Sequence, residues 1–404
     1  MLRRISTTRL LVSLLALVAL VAAATAVTAL AVDSGPTPPP RPLAQAIHDS
    51  LSHGAVDGLS ADITFTNTLI SSTSLGSSDG SGLGAASPLL TGGSGRLWIG
   101  DGKARLELQG TRGDTEIVVS GGKAMIDDVP TNSVYEFTLP STGATGTAPP
   151  TAGNGAQTVP SVASIERGLT RLMGAVDIGG AVPTNIGGAP AYTVTITPKH
   201  PAGLLGAAEI GWDAVHGIPL DVAIYAAGTS TPVLALTAGS VSFGPVDPSV
   251  FSLTPAPGAH VVSIAAPRVQ PSRSNAARQP LTASGFDAVS AALPFALDAP
   301  ATLGGLDRGR VSMIDWNGRS AALALYGSGL ASVAVVETTA SPSSHGGASS
   351  GILGSLPRVA VNGASASELQ TALGTVVEFS RGGVQYAVAG LVEPSRVEAV
   401  ARGL

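Results

Sequence analysis

The sequence feature that most constrains the fold is a succession of short alternating segments joined by tight glycine turns. Apolar and polar residues alternate within each segment, which predicts strands with one buried face. The turns read Gly100-Asp101-Gly102-Lys103, Gly121-Gly122, Asn317-Gly318 and Arg381-Gly382-Gly383. Connections this short join antiparallel neighbours, because parallel strands need a crossover of about a dozen residues. The sequence therefore predicts a mainly β chain of the α+β class.

Four segments have the character of helices. Apolar residues fall on one face of residues 43–53 and again of residues 161–173, where Val162, Ile165, Leu169 and Leu172 form a single stripe. We predict that the 161–173 helix lies with this stripe against the concave face of the sheet. Residues 368–373 are predicted as a short helix, and 394–404 as a closing helix begun by a proline.

Composition excludes several classes of function. Charged residues make up 12% of the 404 residues, about half the usual ~25%, and the net charge is −5, which argues against nucleic-acid binding. Aromatic residues are only 4%, which leaves Val, Ile, Leu and Ala to fill the cores. Cysteine is absent, which excludes disulfides, thiolate metal sites, a cysteine nucleophile and a lipid-modified N-terminal cysteine.

The N-terminus has the pattern of a membrane-targeting segment. Three arginines precede an apolar run of 23 residues, from 10 to 32, which is long enough to span a bilayer. The arginines predict that the remainder is exported, giving a single-pass cell-membrane protein with extracytoplasmic C-terminal domains. Ala29-Leu30-Ala31 also matches a signal-peptidase site, so secretion after cleavage following Ala31 is the alternative.

Shifts in composition divide the chain further. Residues 33–42 are a Pro-rich spacer, expected to be extended and structureless, and Ser/Gly/Thr-rich residues 71–95, 140–158 and 339–355 are predicted loops. The predicted order is a signal anchor or signal peptide (1–32), the spacer (33–42), a first domain (43–262), a linker (263–283) and a small α+β domain (284–404).

No residue pattern indicates catalysis. The G-x-S-x-G motif occurs at 76–80 and 347–351, but both copies lie in low-complexity segments without the flanking strand and helix that a nucleophile elbow requires. The six histidines show no metal-binding spacing, and Asp213 and His216 are expected to bound a hairpin turn. We therefore expect a protein that is not an enzyme and that has no cofactor or metal.

Residues 43–262 carry a series of motifs in a characteristic order. They are GLSADITF (58–65), GRLWI (95–99), ARLEL (104–108), GWD (211–213), GIPL (217–220) and SFGPVDPSVF (242–251). This pattern resembles the LolA-like superfamily of lipoprotein carriers, the regulator RseB and exported lipid-binding lipoproteins. The C-terminal segment resembles a small domain often appended to membrane-anchored members. The resemblance implies an unclosed antiparallel half-barrel, covered by helices, around an apolar cavity that binds acyl chains.

Two functions remain open at this point. The first is the binding of a lipid or acyl chain for envelope lipid handling or sensing. The second is an RseB-like regulatory role, in which the chain docks an anti-sigma-type membrane protein partner and binds no small molecule. Alternation along the strands gives the side chains expected to line the lipid cavity: Ile63, Phe65, Leu97, Ile99, Leu106, Leu108, Val194, Ile196, Val222, Ile224, Leu234 and Leu236.

Overall fold

The structure, a computed structural model, is dominated by β-strands. It describes residues 35–53, 56–70, 87–111, 113–138, 159–200, 202–264, 283–316, 319–340 and 357–404. The helices are α1 (Leu43–Leu51), α2 (Pro88–Thr91), α3 (Val162–Leu172), α4 (Phe286–Ala292) and α5 (Pro394–Gly403). Three short 3₁₀ turns span Val129–Thr131, Pro248–Phe251 and Gly329–Ala331.

Twenty-one strands form two sheets. Those of the first sheet are β1 (Gly58–Asn67), β2 (Gly93–Gly100), β3 (Lys103–Gly110), β4 (Gly113–Ser120), β5 (Lys123–Asp128), β6 (Ser133–Thr138), β7 (Val176–Ile178), β8 (Val182–Ile186), β9 (Ala189–Pro198), β10 (Leu205–Asp213), β11 (Pro219–Ala226), β12 (Pro232–Phe243) and β13 (His260–Ile264). Those of the second are β14 (Thr302–Leu303), β15 (Leu306–Trp316), β16 (Arg319–Tyr326), β17 (Val333–Thr339), β18 (Arg358–Val361), β19 (Ala364–Thr371), β20 (Gly374–Arg381) and β21 (Val384–Gly390).

The first sheet is curled but not closed. Its order is β13-β6-β5-β4-β3-β2-β1-β12-β11-β10-β9-β7, with β8 also paired to β9. The Val241 amide in β12 donates to the Gly187 carbonyl in the β8–β9 turn at 2.9 Å, which brings the far end of the sheet back toward its centre. Strands β13 and β7 remain at the two ends. The fold class predicted from the sequence, a mainly β, unclosed half-barrel with a small α+β C-terminal domain, is confirmed.

One strand pair departs from the predicted antiparallel pattern. After β12, which lies beside β1, the chain runs to the far edge of the sheet. There it forms β13, which pairs parallel to β6. Arg105 holds this crossover by donating from Nη1 to the Val250 carbonyl at 2.7 Å.

The second sheet has the order β14-β15-β16-β17-β21-β20-β19-β18 and is covered by α4 and α5. Residues 368–373, predicted as a helix, lie instead in β19 and the turn after it. Glu, Leu and Gln favour helices, but β19 is hydrogen-bonded to β18 on one side and β20 on the other. Pairing on both sides outweighs that local preference.

Three further expectations need correction. Residues 88–91 of the predicted 71–95 loop form α2 and residues 93–95 begin β2, while Thr339 of the predicted 339–355 loop ends β17. Residues 71–86, the 140–158 loop and residues 341–355 lie outside the described residues. The spacer is held to the domain: the Asn185 side chain donates to the Pro36 carbonyl at 2.9 Å, the Tyr192 hydroxyl donates to the Pro39 carbonyl at 2.6 Å, and Arg41 pairs with Asp49.

The third correction concerns the helix predicted over 161–173. It forms as α3, but it packs on α1 and none of its side chains is buried, so its expected position against the sheet is wrong. α1 packs on the sheet through Leu43, Ala46 and Ile47, which contact a cluster that includes Tyr192 and Trp212. A buried bond from Trp212 Nε1 to Ser50 Oγ, 3.0 Å long, fixes the end of α1 there.

Candidate functional site

The strand register places the predicted lining residues on one face of the first sheet. Directly opposed residues in neighbouring strands project to the same side. On one half of the sheet Leu97 is opposite Leu106 and Ala61, and Leu108 is opposite Gly95, the partner of Ile63. Ile99 is opposite Leu59, which shares a face with Ala61 because it lies two residues away on β1.

The other half continues the same face. Phe65 is opposite Leu236, and Leu236 is opposite Val222. Val222 is in turn opposite Ile210, and Ile210 is opposite Val194. Leu234 is opposite Ile224. Ile224 is also opposite Ala208, and Ala208 is opposite Ile196. All twelve residues therefore share one side, which we term the apolar face: Ile63, Phe65, Leu97, Ile99, Leu106, Leu108, Val194, Ile196, Val222, Ile224, Leu234 and Leu236.

Burial is graded along the apolar face. Six of the twelve side chains are buried, namely Ile63, Phe65, Leu106, Leu108, Val194 and Leu236. Five are half-buried, namely Leu97, Ile196, Val222, Ile224 and Leu234, and Ile99 is 40% exposed. The buried members belong to packed hydrophobic clusters. The buried residues therefore act as core, and only the remainder is accessible to solvent.

An open part of the face crosses six neighbouring strands, β2 to β6 and β13. One apolar residue from each strand lies in register with the next, and we term this set the open row: Leu97, Leu106, Ile117, Ile126, Tyr135 and Val262. Leu106 is buried, Val262 is 43% exposed and the other four are half-buried.

Sequence reasoning missed four members of the open row: Ile117, Ile126, Tyr135 and Val262. Ile117 begins a run of three apolar residues, which hides the alternation of β4, and Val262 was placed at the boundary of the linker. A signal was present, because Ile117 and Val119 have the two-residue spacing of one strand face.

The opposite face of the same six strands carries charged residues beside apolar ones, of which Val118 and Val134 are buried. Arg105 pairs with Glu107 at 2.6 Å and with Glu116 at 3.0 Å. Burial raises the pKa of the Glu116 carboxyl, and the charge of Arg105 opposes this shift. A pocket of about 500 Å³ opens on this face, lined largely by polar residues that include Asp62, Arg96 and Gln109. Ile63, a member of the apolar face, also borders this pocket.

Two acidic side chains near the other end of the sheet have structural surroundings. Asp213 is 1% exposed and accepts hydrogen bonds from the backbone amide and Nδ1 of His216, so it closes the β10–β11 turn as the sequence predicts. Burial raises the pKa of Asp221 to about 6, although a hydrogen bond from the Thr237 hydroxyl lowers it. Asp221 is opposite Thr237 in the register, so this bond joins β11 to β12.

The remaining sequence candidates fall into two groups. Both G-x-S-x-G motifs lie outside the described residues. Within the described ranges, no group of three or more His, Asp or Glu side chains is arranged to hold a metal ion. The part of the chain that the structure describes also contains no helix with the length and hydrophobicity of a membrane span; residues 1–34 are outside it.

Comparisons with known proteins give structural matches only. No family model and no curated protein matches the sequence. The chain is similar to MucB in its complex with MucA(peri), with 15% identity, a TM-score of 0.38, and coverage of 89% of this chain and 95% of that one.

Two further solved structures are similar to parts of the chain. An uncharacterized conserved protein from Thermus thermophilus has 11% identity, a TM-score of 0.32, and coverage of 55% and 99%. A putative outer membrane lipoprotein-sorting protein domain from Vibrio parahaemolyticus has 10% identity, a TM-score of 0.16, and coverage of 52% and 95%. At 15% identity or less, these matches are likenesses of fold alone. Their TM-scores are below 0.5, so the function proposed below rests on this chain's own geometry.

Proposed function

We propose that this chain is a membrane-anchored, extracytoplasmic protein that holds a lipid or acyl chain on its apolar face. The supporting observation is the open row, in which six strands each present an apolar side chain in register. Five strand spacings of about 4.8 Å make the row roughly 24 Å long. A long, narrow apolar track suits an extended hydrocarbon chain better than a compact ligand.

The energetics are adequate for such a ligand. Covering about ten methylene groups would contribute roughly 8 kcal/mol, at about 0.8 kcal/mol for each CH₂, before the costs of association. On β1 and β12 the register continues the row through Ala61 to Val241, which adds apolar contact beside Leu97. Binding, with no chemical step, is the function that this arrangement supports.

A second function is regulatory docking of a membrane protein partner, without a small-molecule ligand. It is favoured by the burial of half of the predicted lining residues in packed clusters. With that much of the face already filled, the open row could be covered by a segment of a partner protein. An exposed apolar track serves either occupant, so the bound species decides between the two functions.

Native mass spectrometry of residues 35–404 tests the first function. We expect a bound mass corresponding to one lipid or fatty acid, which is lost in Ile99→Asp. Ile99 is 40% exposed, so an aspartate there leaves the fold intact, whereas aspartate at Phe65 or Leu106, each under 10% exposed, would unfold the domain. Val129→Asp is the matched control, since Val129 is 58% exposed in the turn between β5 and β6.

Two outcomes would count against lipid binding. The first is wild-type protein without any bound mass and without uptake of a fluorescent fatty acid. The second is equal loss of ligand in Ile99→Asp and Val129→Asp. Either result would favour the docking function.

A further inference from the structure

The open row has two different ends. At one end, the register carries the row from Leu97 through Ala61 to Val241 of β12. The Val241 side chain lies against the β8–β9 turn, where a Cβ atom on Gly187 would be only 2.9 Å from Val241 Cγ2. At the other end, Val262 lies on β13, the last strand of the sheet, and is 43% exposed. The row is therefore closed at β12 and open to water at β13.

The polar side chains on this face of β2 to β6 and β13 differ in their hydrogen bonding. The register places five of them there: Thr115, Asp128, Ser133, Tyr135 and His260. Thr115, Asp128 and Ser133 form side-chain hydrogen bonds near the β5–β6 turn. Within the residues that the structure describes, the Tyr135 hydroxyl and the His260 ring form none. These two groups are therefore the donors that the face leaves available.

Both available donors lie at the open end of the row. Tyr135 is directly opposite Val262, and His260 is two residues before Val262 on β13. The two-residue period of a strand places His260 on the same face, diagonal to Tyr135. Tyr135 is half-buried and His260 is exposed. The open end therefore offers a phenol O–H and an imidazole N–H, whereas the row ends at β12 in aliphatic side chains.

The neighbouring acidic residues leave these donors free for a ligand. Glu136 follows Tyr135 on β6 and projects to the opposite face, where it accepts from the Ser263 hydroxyl at 3.4 Å. Asp128 lies on β5, two strands from β13, and its buried carboxylate accepts hydrogen bonds from two threonine hydroxyls. Tyr135 and His260 can therefore donate to an acceptor that a ligand supplies.

We infer that Tyr135 and His260 bind the anionic head of the acyl ligand, whose hydrocarbon tail lies along the open row toward Val241. This inference rests on the proposed function and gives the ligand a direction. A charged head needs water or hydrogen-bond donors, which the β13 end supplies; at the closed end it would be desolvated without a partner. The head is a carboxylate or a phosphate, because both accept charge-assisted hydrogen bonds from O–H and N–H groups.

The affinities for a fatty acid and for its methyl ester test the head contact, since the ester keeps the tail and removes the charge. The full chain, kept soluble in amphipol, would be titrated with cis-parinaric acid and with its methyl ester. We expect the acid to bind at least fivefold more tightly. In Tyr135→Phe/His260→Ala this ratio should fall below twofold, with the affinity for the ester unchanged. Tyr225→Phe, a half-buried phenol on the opposite face, is the matched control and should keep the ratio.

The outcomes separate the head contact from lipid binding itself. Equal affinity of the wild-type protein for acid and ester, or an unchanged ratio in the double variant, would overturn the head contact and leave lipid binding intact. Binding of neither ligand would overturn the proposed function as well. Displacement of the bound acid by oleate supports a carboxylate head and displacement by phosphatidylglycerol a phosphate head, in each case with a weaker competitor in the double variant.

A second measurement tests the direction of the tail. The chain has no cysteine, so Val262→Cys and Ile99→Cys can each carry an NBD fluorophore. The two positions are matched in exposure, at 43% and 40%, and lie on β13 and β2, toward opposite ends of the face. We expect 5-doxyl-stearate to quench the Val262 probe at least twofold more than 16-doxyl-stearate does, and the reverse order at Ile99. The same order at both positions would overturn the direction.

Discussion

The two sheets use the same aliphatic side chains in different ways. In the second sheet, α5 packs on β20 and β21, and Val377, Val388, Val397 and Val400 have no exposed surface. In the first sheet, five of the six residues of the open row stay partly exposed, and α1 covers the opposite end of the apolar face. The comparison teaches that alternation alone does not distinguish a core from a binding face. The position of the covering helix does.

The largest effect should come from a charge in the closed core. Val397→Asp would leave a carboxylate without a partner beneath α5, and we expect a loss of about 4 kcal/mol or more in the free energy of unfolding. Ile99→Asp on the first sheet should cost less than about 1 kcal/mol, because Ile99 is 40% exposed. Urea denaturation of both variants measures the contrast, and similar losses would show that the apolar face at Ile99 is packed as tightly as the core.

The buried carboxyls should give the two domains different pH windows. Burial raises the pKa of Glu337 in β17 to about 7 and that of Asp221 in β11 to about 6. At a pH between the unfolded and folded pKa values, the folded protein holds a proton that the unfolded chain has released. Stability therefore falls as the pH rises from 4.5 to about 7 for Glu337, and from 3.8 to about 6 for Asp221. Each loss amounts to roughly 3 kcal/mol.

Matched amide variants separate these contributions. Glu337→Gln keeps the acceptor for the Asp298 amide, which lies 2.9 Å from Glu337 Oε2, and should flatten the fall in stability up to about pH 7. Asp221→Asn should flatten only the part below about pH 6. Melting temperatures measured across this range provide the test. An unchanged profile in Glu337→Gln would show that the Glu337 carboxyl does not control it.

A smaller effect is expected where α1 meets the first sheet. Ser50→Ala removes the acceptor of the buried Trp212 Nε1 bond and should cost about 1–2 kcal/mol, because the indole donor would be left unpaired. Tryptophan fluorescence during denaturation would report the change. A loss below about 0.5 kcal/mol would show that the helix is held by apolar packing alone.

The smallest effect is expected on α3. Leu172→Ser should change the free energy of unfolding by less than about 0.5 kcal/mol, since Leu172 is 59% exposed. A loss above about 2 kcal/mol in thermal denaturation would show that the stripe is packed, as the sequence alone predicted.

The sequence predicted the long alternating strands well, because Thr64 and Thr66 separate Ile63 and Phe65 in β1 and similar alternation marks β9 and β12. It did not predict β13, a five-residue strand whose partner β6 is more than a hundred residues away. The position of α3 was also missed. An apolar stripe shows that one side of a helix packs against something, but it does not show whether the partner is the sheet or another helix. The twelve predicted side chains do share one face, but the register between strands decides which of them remain open.

The central claim, that the apolar face binds a lipid chain, is tested most directly by two adjacent substitutions on β13. Val262 lies in the open row and is 43% exposed, while Val261 is 52% exposed and pairs with Val134 on the opposite face. A fluorescent fatty acid would be titrated into Val262→Asp and Val261→Asp of equal thermal stability. The account predicts at least tenfold weaker binding for Val262→Asp and wild-type affinity for Val261→Asp. Equal affinity in the two variants would contradict it.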